Sequence, residues 1–260
     1  MTDTYRFHEF DIPIPLVHLT GGPPEEFSAS SAFHIATIRK FIGISPDDHF
    51  LEIGCGIGRD TIPLTKILSP QGSYVGIDII KPSIDFCQSS IAKGYKNFRF
   101  FHLDVKDQLH NPDGSSEMRD HRLDIADSSI DKIIVWSVFT HMWEHDIRHY
   151  LSEFFRVLKP GGMVYATCFV LDDAIIAKAR ETNLTRFGIR FEHKVGEHCF
   201  INDPEHPLGS IGYTKPAFNS MILDAGFEKP RDFALGAWSG FYSAAEAEDG
   251  QDGLILRKPA

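Results

Sequence analysis

Residues 51–60, LEIGCGIGRD, place three glycines at alternate positions between an apolar run and a segment with helical periodicity. Because glycine has no Cβ, the backbone can turn sharply there and a ligand can approach main-chain atoms directly. The helix that follows offers free N–H groups and the positive end of its dipole. A dinucleotide-binding fingerprint needs a third glycine where Arg59 stands here. The segment therefore predicts a ligand-binding turn after a strand, for a ligand without a pyrophosphate.

The middle of the chain alternates apolar, strand-like runs with amphipathic helical segments. Strands are predicted over residues 49–53, 74–78, 98–103, 132–136 and 163–169. Helices are predicted over residues 30–42, 59–68, 82–94 and 144–158, and a turn over residues 159–162, KPGG. Nearly continuous apolar strands that alternate with helices are typical of a parallel sheet covered on both faces. The sequence therefore predicts a doubly wound α/β fold.

The end of the chain departs from this alternation. After a predicted helix over residues 216–225, two strand-like runs, 228–235 and 253–257, follow with no helical segment between them. Two strands joined without a helix pair most simply as antiparallel neighbours. The predicted sheet is therefore mostly parallel, with an antiparallel hairpin at one edge.

Asp78 ends the second predicted strand, at the carboxyl edge of the sheet and beside the glycine turn. An ionised carboxylate accepts several hydrogen bonds and can hold both hydroxyl groups of a ribose. The other interpretation is a capping role for the helix that starts near Pro82. The position at the sheet edge favours the ligand role.

Four segments, LEIGCGIGRD, VGID, FHLDV and RVLKPGGMVYAT, occur in an order and spacing that resemble the class I S-adenosylmethionine-dependent methyltransferases over about residues 30–170. The resemblance implies S-adenosylmethionine as the cofactor. It also implies a seven-stranded sheet in the order 3-2-1-4-5-7-6 with strand 7 antiparallel, in agreement with the hairpin inferred above. A looser resemblance, in SVFTHM, TGG and the terminal GAWSG and GQD, is to a bacterial subset of small-molecule methyltransferases.

The resemblance implies that the methionine part of the cofactor lies against the glycine turn. Gly54, Gly56 and Gly58 would line it, with Cys55 as part of the same turn. Glu52 would reach its ammonium group directly or through water. The side of the site that binds the amino-acid tail is therefore expected to be formed mainly by backbone.

The resemblance places the nucleoside and the methyl group at the following strand ends. Asp78 would bind the ribose hydroxyls and Ile79 would pack on the adenine. Asp104 would accept a hydrogen bond from the adenine amino group beside Val105, although a loop carboxylate in water is the other interpretation. Ser137, after the fourth strand, would lie near the path of the methyl group.

Methyl transfer to a hydroxyl group needs a base, and histidine suits that role near neutral pH. His141 follows the fourth strand at the edge where the methyl group should point, and it is the first candidate. The other interpretation is a histidine at a helix start that bonds the neighbouring loop. His193 and His198 are further candidates because they lie in a segment that could fold over the site. No Asp or Cys cluster completes a metal site around them and Cys199, so no metal is expected.

The composition argues against several functional classes. The chain has 36 acidic and 26 basic residues, and the resulting formal charge of -10 would repel a nucleic-acid backbone. No apolar stretch reaches the roughly 20 residues of a membrane helix, and the N-terminus lacks the apolar block of a secretory signal. The four cysteines form no Cys-x-x-Cys pair, which is typical of reduced thiols. We therefore expect a cytoplasmic protein without a nucleic-acid or membrane partner.

Two segments outside the alternating pattern are candidates for covering a substrate. Residues 1–29 are predicted to form an N-terminal arm or lid, and residues 30–260 the methyltransferase domain, with residues 170–213 as an insertion. The predicted function is methyl transfer from S-adenosylmethionine to a small-molecule acceptor, with a hydroxyl oxygen as the acceptor atom. N- or C-methylation, or a cofactor-binding but inactive partner subunit, are the alternatives. The sequence leaves the acceptor and the oligomeric state open.

Overall fold

The computed structural model describes residues 3–117, 120–185, 187–228, 230 and 233–260. The elements before the main sheet are β1 (Thr4–Phe7), β2 (Phe10–Pro13), α1 (Ile14–Val17), a 3-10 helix (His18–Thr20) and α2 (Pro24–Phe41). The sequence predicted that α2 starts near residue 30, but it starts at Pro24. Proline fits the first turn of a helix because its missing N–H would have no partner there.

The central part of the chain has the predicted alternation of strands and helices. Its elements are β3 (His49–Ile53), α3 (Thr61–Ile67), β4 (Ser73–Asp78), α4 (Lys81–Phe86), a π-helical turn (Cys87–Ile91), α5 (Ala92–Gly94), β5 (Phe98–His102), β6 (Ile130–Val135), a 3-10 helix (Phe139–His141), α6 (Glu144–Val157) and β7 (Leu158–Cys168). The predicted helix over residues 82–94 is thus interrupted by one π-helical turn.

The last part of the chain contains a second sheet and returns to the first. Its elements are β8 (Val170–Leu171), α7 (Asp173–Thr182), β9 (His193–Val195), β10 (Cys199–Ile201), a 3-10 helix (Pro207–Gly209), β11 (Ile211–Thr214), α8 (Lys215–Asp224) and β12 (Asp252–Arg257). The insertion 170–213 therefore contributes to a four-stranded sheet in the order β8-β11-β10-β9. The hydrophobic core between this small sheet and α7 consists of Phe169, Leu171, Ile175, Ile176, Ala179, Ile189, Phe191, Phe200 and Trp238.

The main sheet has the order β12-β7-β6-β3-β4-β5, in which β12 is antiparallel to β7 and the other neighbours are parallel. This confirms the doubly wound α/β fold and the implied strand order for six positions. A seventh strand over residues 228–235 was predicted at the edge of the sheet beside β12. The described residues of this segment form only an antiparallel bridge there, between Ala234 and Gly253. Lys229, Arg231 and Asp232 of that prediction lie outside the described residues.

The predicted turn over residues 159–162 lies inside β7 as an irregularity. Ile130 pairs with Leu158 and Lys132 pairs with Met163, so the intervening residues of β7 have no matching partner on β6. β7 therefore begins at Leu158 and not at Met163 as predicted. The physical reason is that β7 pairs with β6 both before and after a local bulge, so that the bulge does not end the strand.

Both faces of the main sheet are buried, which explains the nearly continuous apolar strands. Successive side chains of a strand point to opposite faces. The face covered by α2, α3 and α4 includes Phe50, Tyr74, Ile134 and Tyr165. The face covered by α6 and α8 includes Leu51, Val75, Ile133 and Val164. Within the described ranges, no helix combines the length and the apolar character that a bilayer crossing requires.

Asp252 joins the main sheet to the insertion through a buried carboxylate. Its Oδ2 accepts hydrogen bonds from Val170 N and Trp238 Nε1, and its Oδ1 accepts one from Gly236 N, each at 2.9 Å. Burial raises the pKa of Asp252 from 3.8 to about 6. The folded state therefore holds this proton more tightly than the unfolded state.

We expect Asp252 to make the stability depend on pH. Because its folded pKa is raised, its contribution is full below about pH 4 and is lost as the pH rises through about 6. The Asp252→Asn variant has no titratable group at this position. The free energy of unfolding of the wild type should therefore fall relative to that of the variant by on the order of 3 kcal/mol between about pH 4 and pH 7. Urea unfolding at both pH values measures this difference, and an equal difference at both would contradict the prediction.

Candidate active site

The glycine turn, residues 54–60, joins β3 to α3 at the carboxyl edge of the main sheet. Gly54 N donates to Ile77 O at 2.8 Å, which ties the turn to β4. Gly54 and Gly56 have φ values of 78° and 51°, in the left-handed region that favours glycine. A Cβ on Gly54 would lie 2.4 Å from Cγ2 of Val138, whereas a Cβ on Gly56 would meet nothing within 4 Å. Gly56 therefore borders open space at the sheet edge.

The Asp78 carboxylate bonds the backbone of both the glycine turn and the segment before α4, while its ligand role stays a prediction. Its Oδ2 accepts a hydrogen bond from Gly56 N at 2.7 Å, and its Oδ1 accepts one from Ile80 N at 2.8 Å at the start of α4. Burial raises the pKa of this carboxyl above its ordinary value. Each carboxylate oxygen has a second lone pair, so the side chain still has acceptor positions for a ligand.

Glu52 and Cys55 lie behind the glycine turn. The Tyr74 hydroxyl donates to the Glu52 carboxylate and accepts a hydrogen bond from Thr61 Oγ1 at 2.7 Å. Burial, together with the neighbouring Asp60 carboxylate, raises the pKa of Glu52 well above its ordinary value. The Cys55 thiol is also buried. The predicted contact between Glu52 and an ammonium group stays a prediction.

The residues predicted for the nucleoside follow β4 and β5. Ile79 is half-buried against the core, and Val105 is buried. The Asp104 carboxylate accepts hydrogen bonds from Ser115 Oγ at 2.7 Å and Asn111 Nδ2 at 3.2 Å, and these bonds lower its pKa. Asp104 therefore shapes its own loop, while its contact with adenine remains a prediction.

Ser137 has a strained backbone directly after β6. Its φ is 54°, a value that few residues other than glycine adopt. Ser137 N donates to Thr167 Oγ1 at 2.7 Å, and its Oγ donates to Gln251 Oε1 at 3.0 Å. Because β6 is the parallel neighbour of β3, this residue lies at the same edge as the glycine turn. Strained residues that are held from several sides are common at functional sites.

Comparison with known proteins shows the family of the chain. A family model described as a methyltransferase domain matches residues 44–206, more than half of the chain. The chain belongs to this family of S-adenosylmethionine-dependent methyltransferases.

Two relatives of this methyltransferase have different named activities. The arsenite methyltransferase of Aquipseudomonas alcaligenes is 25% identical over 171 residues, which are 64% of this chain and 44% of that protein. The demethylmenaquinone methyltransferase of Lactiplantibacillus plantarum is 24% identical over 214 residues, 80% of this chain and 82% of that protein. The chain thus spans less than half of the first relative and most of the second.

Solved structures share the fold of this methyltransferase. A SAM-dependent methyltransferase from Aquifex aeolicus has a TM-score of 0.55 at 16% identity, over 96% of this chain and 99% of that one. The 1,6-didemethyltoxoflavin-N1-methyltransferase of Burkholderia thailandensis, solved with 1,6-didemethyltoxoflavin and S-adenosylhomocysteine, has a TM-score of 0.54 at 14% identity, over 95% of this chain and 88% of that one.

S-adenosylmethionine fits the groups present at the sheet edge. The open space at Gly56 leaves the main chain accessible to an amino-acid tail. The Asp78 carboxylate lies beside that space and still has acceptor positions for two hydroxyl groups. These two features are where the resemblance placed the methionine part and the ribose of the cofactor.

The three predicted catalytic histidines lie in different surroundings. His141 Nδ1 lies 2.8 Å from Leu208 O, so this nitrogen carries the proton of the neutral ring. Burial lowers the pKa of His141. The structure places His193 on β9, the outer strand of the small sheet, where it is exposed. His198 Nδ1 is 2.9 Å from Thr214 Oγ1.

Among the described residues, no group of three or more His, Cys, Asp and Glu side chains could hold a metal ion.

A buried pair that no sequence motif predicted lies behind the glycine turn of this methyltransferase. His34 of α2 and Asp60, at the end of the turn, lie 2.7 Å apart between Nδ1 and Oδ2, and their side chains are 7% and 4% exposed. The His34 ring stacks on Trp136 with 3.5 Å between the ring centroids. No sequence signal pointed to this pair, because it depends on how α2 packs on the sheet.

Proposed function

We propose that this methyltransferase transfers the methyl group of S-adenosylmethionine to a hydroxyl oxygen of a small-molecule acceptor. The observation that carries the proposal is the presence, around one sheet edge, of the open turn at Gly56, the Asp78 carboxylate, and the histidines His34 and His141. The cofactor supplies an activated methyl group on a sulfonium sulfur. The residues of the chain align the acceptor, exclude water and take up the acceptor proton.

The charge of the protein supports a small acceptor. With 36 acidic and 26 basic residues, the surface repels a polyanionic backbone. The relatives named for arsenite and demethylmenaquinone carry names of small compounds. These names cover different acceptor atoms, so the choice of oxygen depends on the histidines at the sheet edge. We also propose that the protein acts in the cytoplasm, in agreement with its free, mostly buried cysteines.

The arm, residues 1–29, and the insertion, residues 170–213, are the proposed covers of the acceptor. The insertion contacts the segment after β6, where His141 bonds the carbonyl oxygen of Leu208. The arm is anchored on the domain, since Phe10 packs against the Tyr95 ring and the Glu9 carboxylate pairs with Lys66 at 2.5 Å. In this proposal His141, which the sequence predicted, and His34 are the two candidate bases, and the covers exclude water from the transfer.

Two measurements test the proposal. Isothermal titration should show micromolar binding of S-adenosylmethionine and S-adenosylhomocysteine, and none of a nicotinamide dinucleotide. A transfer assay over matched hydroxyl, amine and thiol acceptors should then release S-adenosylhomocysteine with the hydroxyl compounds.

Each other outcome contradicts a different part of the proposal. Absence of binding would overturn the whole assignment. Transfer to amine or carbon acceptors but not to hydroxyl compounds would show that the acceptor atom is wrong. Binding without transfer to any acceptor would favour a cofactor-binding but inactive partner subunit.

A further inference from the structure

A histidine that the sequence analysis did not select lies behind the reacting edge. His34 comes from α2, and its Nδ1 is 2.7 Å from Oδ2 of Asp60. Its ring lies nearly parallel to the Trp136 ring, with 19° between the planes. Trp136 directly precedes the strained Ser137 at the carboxyl end of β6. The pair is therefore close to the strand end at which the methyl group is expected.

We infer that His34, oriented by Asp60, takes up the proton of the acceptor hydroxyl group during methyl transfer. This inference rests on the proposed function. As the acceptor oxygen forms its bond to the methyl carbon, the carbon–sulfur bond breaks and its electron pair stays on sulfur. The hydroxyl proton passes to Nε2 of His34, which leaves a methyl ether and an imidazolium.

The contact with Asp60 determines which ring nitrogen can act. A carboxylate partner keeps the proton on Nδ1 of the neutral ring and leaves the lone pair on Nε2. The same carboxylate stabilises the imidazolium that forms when Nε2 takes a proton. Nε2 of His34 has no hydrogen-bond partner among the described residues, and it is not one of the fully enclosed unpaired polar atoms. This nitrogen is therefore not fully enclosed by the protein.

Charged groups from two segments lie near His34. They are Arg59 and Asp60 of the glycine turn and Asp249 before β12. The Arg59 Nε is 3.9 Å from Asp60 Oδ1 and does not form a hydrogen bond with it. The Asp60 carboxylate is in direct contact with His34, and it suits a ring that gains a positive charge during the reaction.

His141 is the competing candidate at the same strand end. Its Nδ1 bonds a neutral carbonyl oxygen, that of Leu208, and not a carboxylate. Burial lowers the pKa of His141, which weakens it as a proton acceptor. His34 has a carboxylate as the partner of Nδ1 where His141 has a carbonyl oxygen, and this difference is why we assign the proton transfer to His34.

The experiment compares two complexes that differ by one charge. S-adenosylmethionine has a sulfonium where S-adenosylhomocysteine has a neutral thioether. The full-length protein, labelled in its histidine rings and assigned through backbone experiments, is titrated between about pH 5.5 and 9 in each complex by NMR. A histidine beside the reacting sulfur should titrate about 0.5–2 pH units lower in the S-adenosylmethionine complex, because the extra positive charge opposes its protonation.

We expect the largest lowering of the titration midpoint at His34, a smaller one at His141 and none at the exposed His193, which is the internal control. Asp60→Asn should lower the His34 midpoint in both complexes, since the orienting carboxylate is lost.

Three results would overturn the inference. These are a shift at His141 that equals or exceeds the one at His34, no shift at His34, and a His34 ring that keeps one protonation state throughout. Failure to bind either compound would instead refute the proposed function.

Discussion

Asp78→Ala should lower the affinity for S-adenosylhomocysteine by about 100-fold or more. The carboxylate holds Gly56 N and Ile80 N at 2.7 and 2.8 Å, and it is the proposed acceptor for both ribose hydroxyls. A hydrogen bond to a charged group contributes about 1.5–3 kcal/mol, so the loss of two to the ligand exceeds about 3 kcal/mol. Loss of the Gly56 contact also releases the turn. Isothermal titration measures the change.

Asp85→Ala is the matched control for this substitution. Asp85 lies on α4 close to Asp78 in sequence, is exposed, and pairs with Lys81 one helical turn earlier. Exposed pairs of this kind contribute at most about 0.5 kcal/mol, so the affinity should stay within a factor of about two. An Asp78→Ala protein that keeps its thermal unfolding transition and binds the ligand normally would contradict the assignment of the ribose site.

The main sheet could be predicted from the sequence because its information is local. Strands buried on both faces appear as continuous apolar runs, and helices with one buried face appear as amphipathic segments. The early start of α2 at Pro24 was missed because a segment rich in proline and glycine is typical of a loop. The outer strand over residues 228–235 was predicted from residue type, yet among its described residues only Ala234 pairs with β12.

The candidate site was predictable where one segment forms it and unpredictable where distant segments meet. The glycine turn and Asp78 each follow a strand, so their meeting at one edge follows from the parallel sheet. The pair formed by His34 and Asp60 depends on how a helix packs against the turn, and a single sequence does not contain that information. The insertion shows the same limit, since the three-residue strand β9 places His193 at the outside of a sheet that no periodicity predicted.

Gly54→Ala should destabilise the protein by about 3 kcal/mol, and Val138→Ala should partly compensate. The new Cβ would lie 2.4 Å from Cγ2 of Val138, whose β-branched side chain has little freedom to move. Overpacking costs about 1–3 kcal/mol, and alanine in the left-handed conformation adds about 1–2 kcal/mol. Only the first of these contributions depends on Val138, because the second belongs to the backbone.

A double-mutant cycle separates the two contributions, with Gly56 as the matched control. Urea unfolding of Gly54→Ala, Val138→Ala and the double variant should give a favourable coupling of at least about 1 kcal/mol, since removal of Cγ2 relieves the clash. The same cycle with Gly56→Ala should give no coupling, because a Cβ there meets nothing within 4 Å.

The Cβ of Gly56→Ala would occupy the space proposed for the amino-acid tail. This variant should therefore bind S-adenosylhomocysteine at least about tenfold more weakly, while its free energy of unfolding falls by only about 1 kcal/mol. Additive effects of Gly54→Ala and Val138→Ala, or unchanged binding in Gly56→Ala, would contradict this account of the turn.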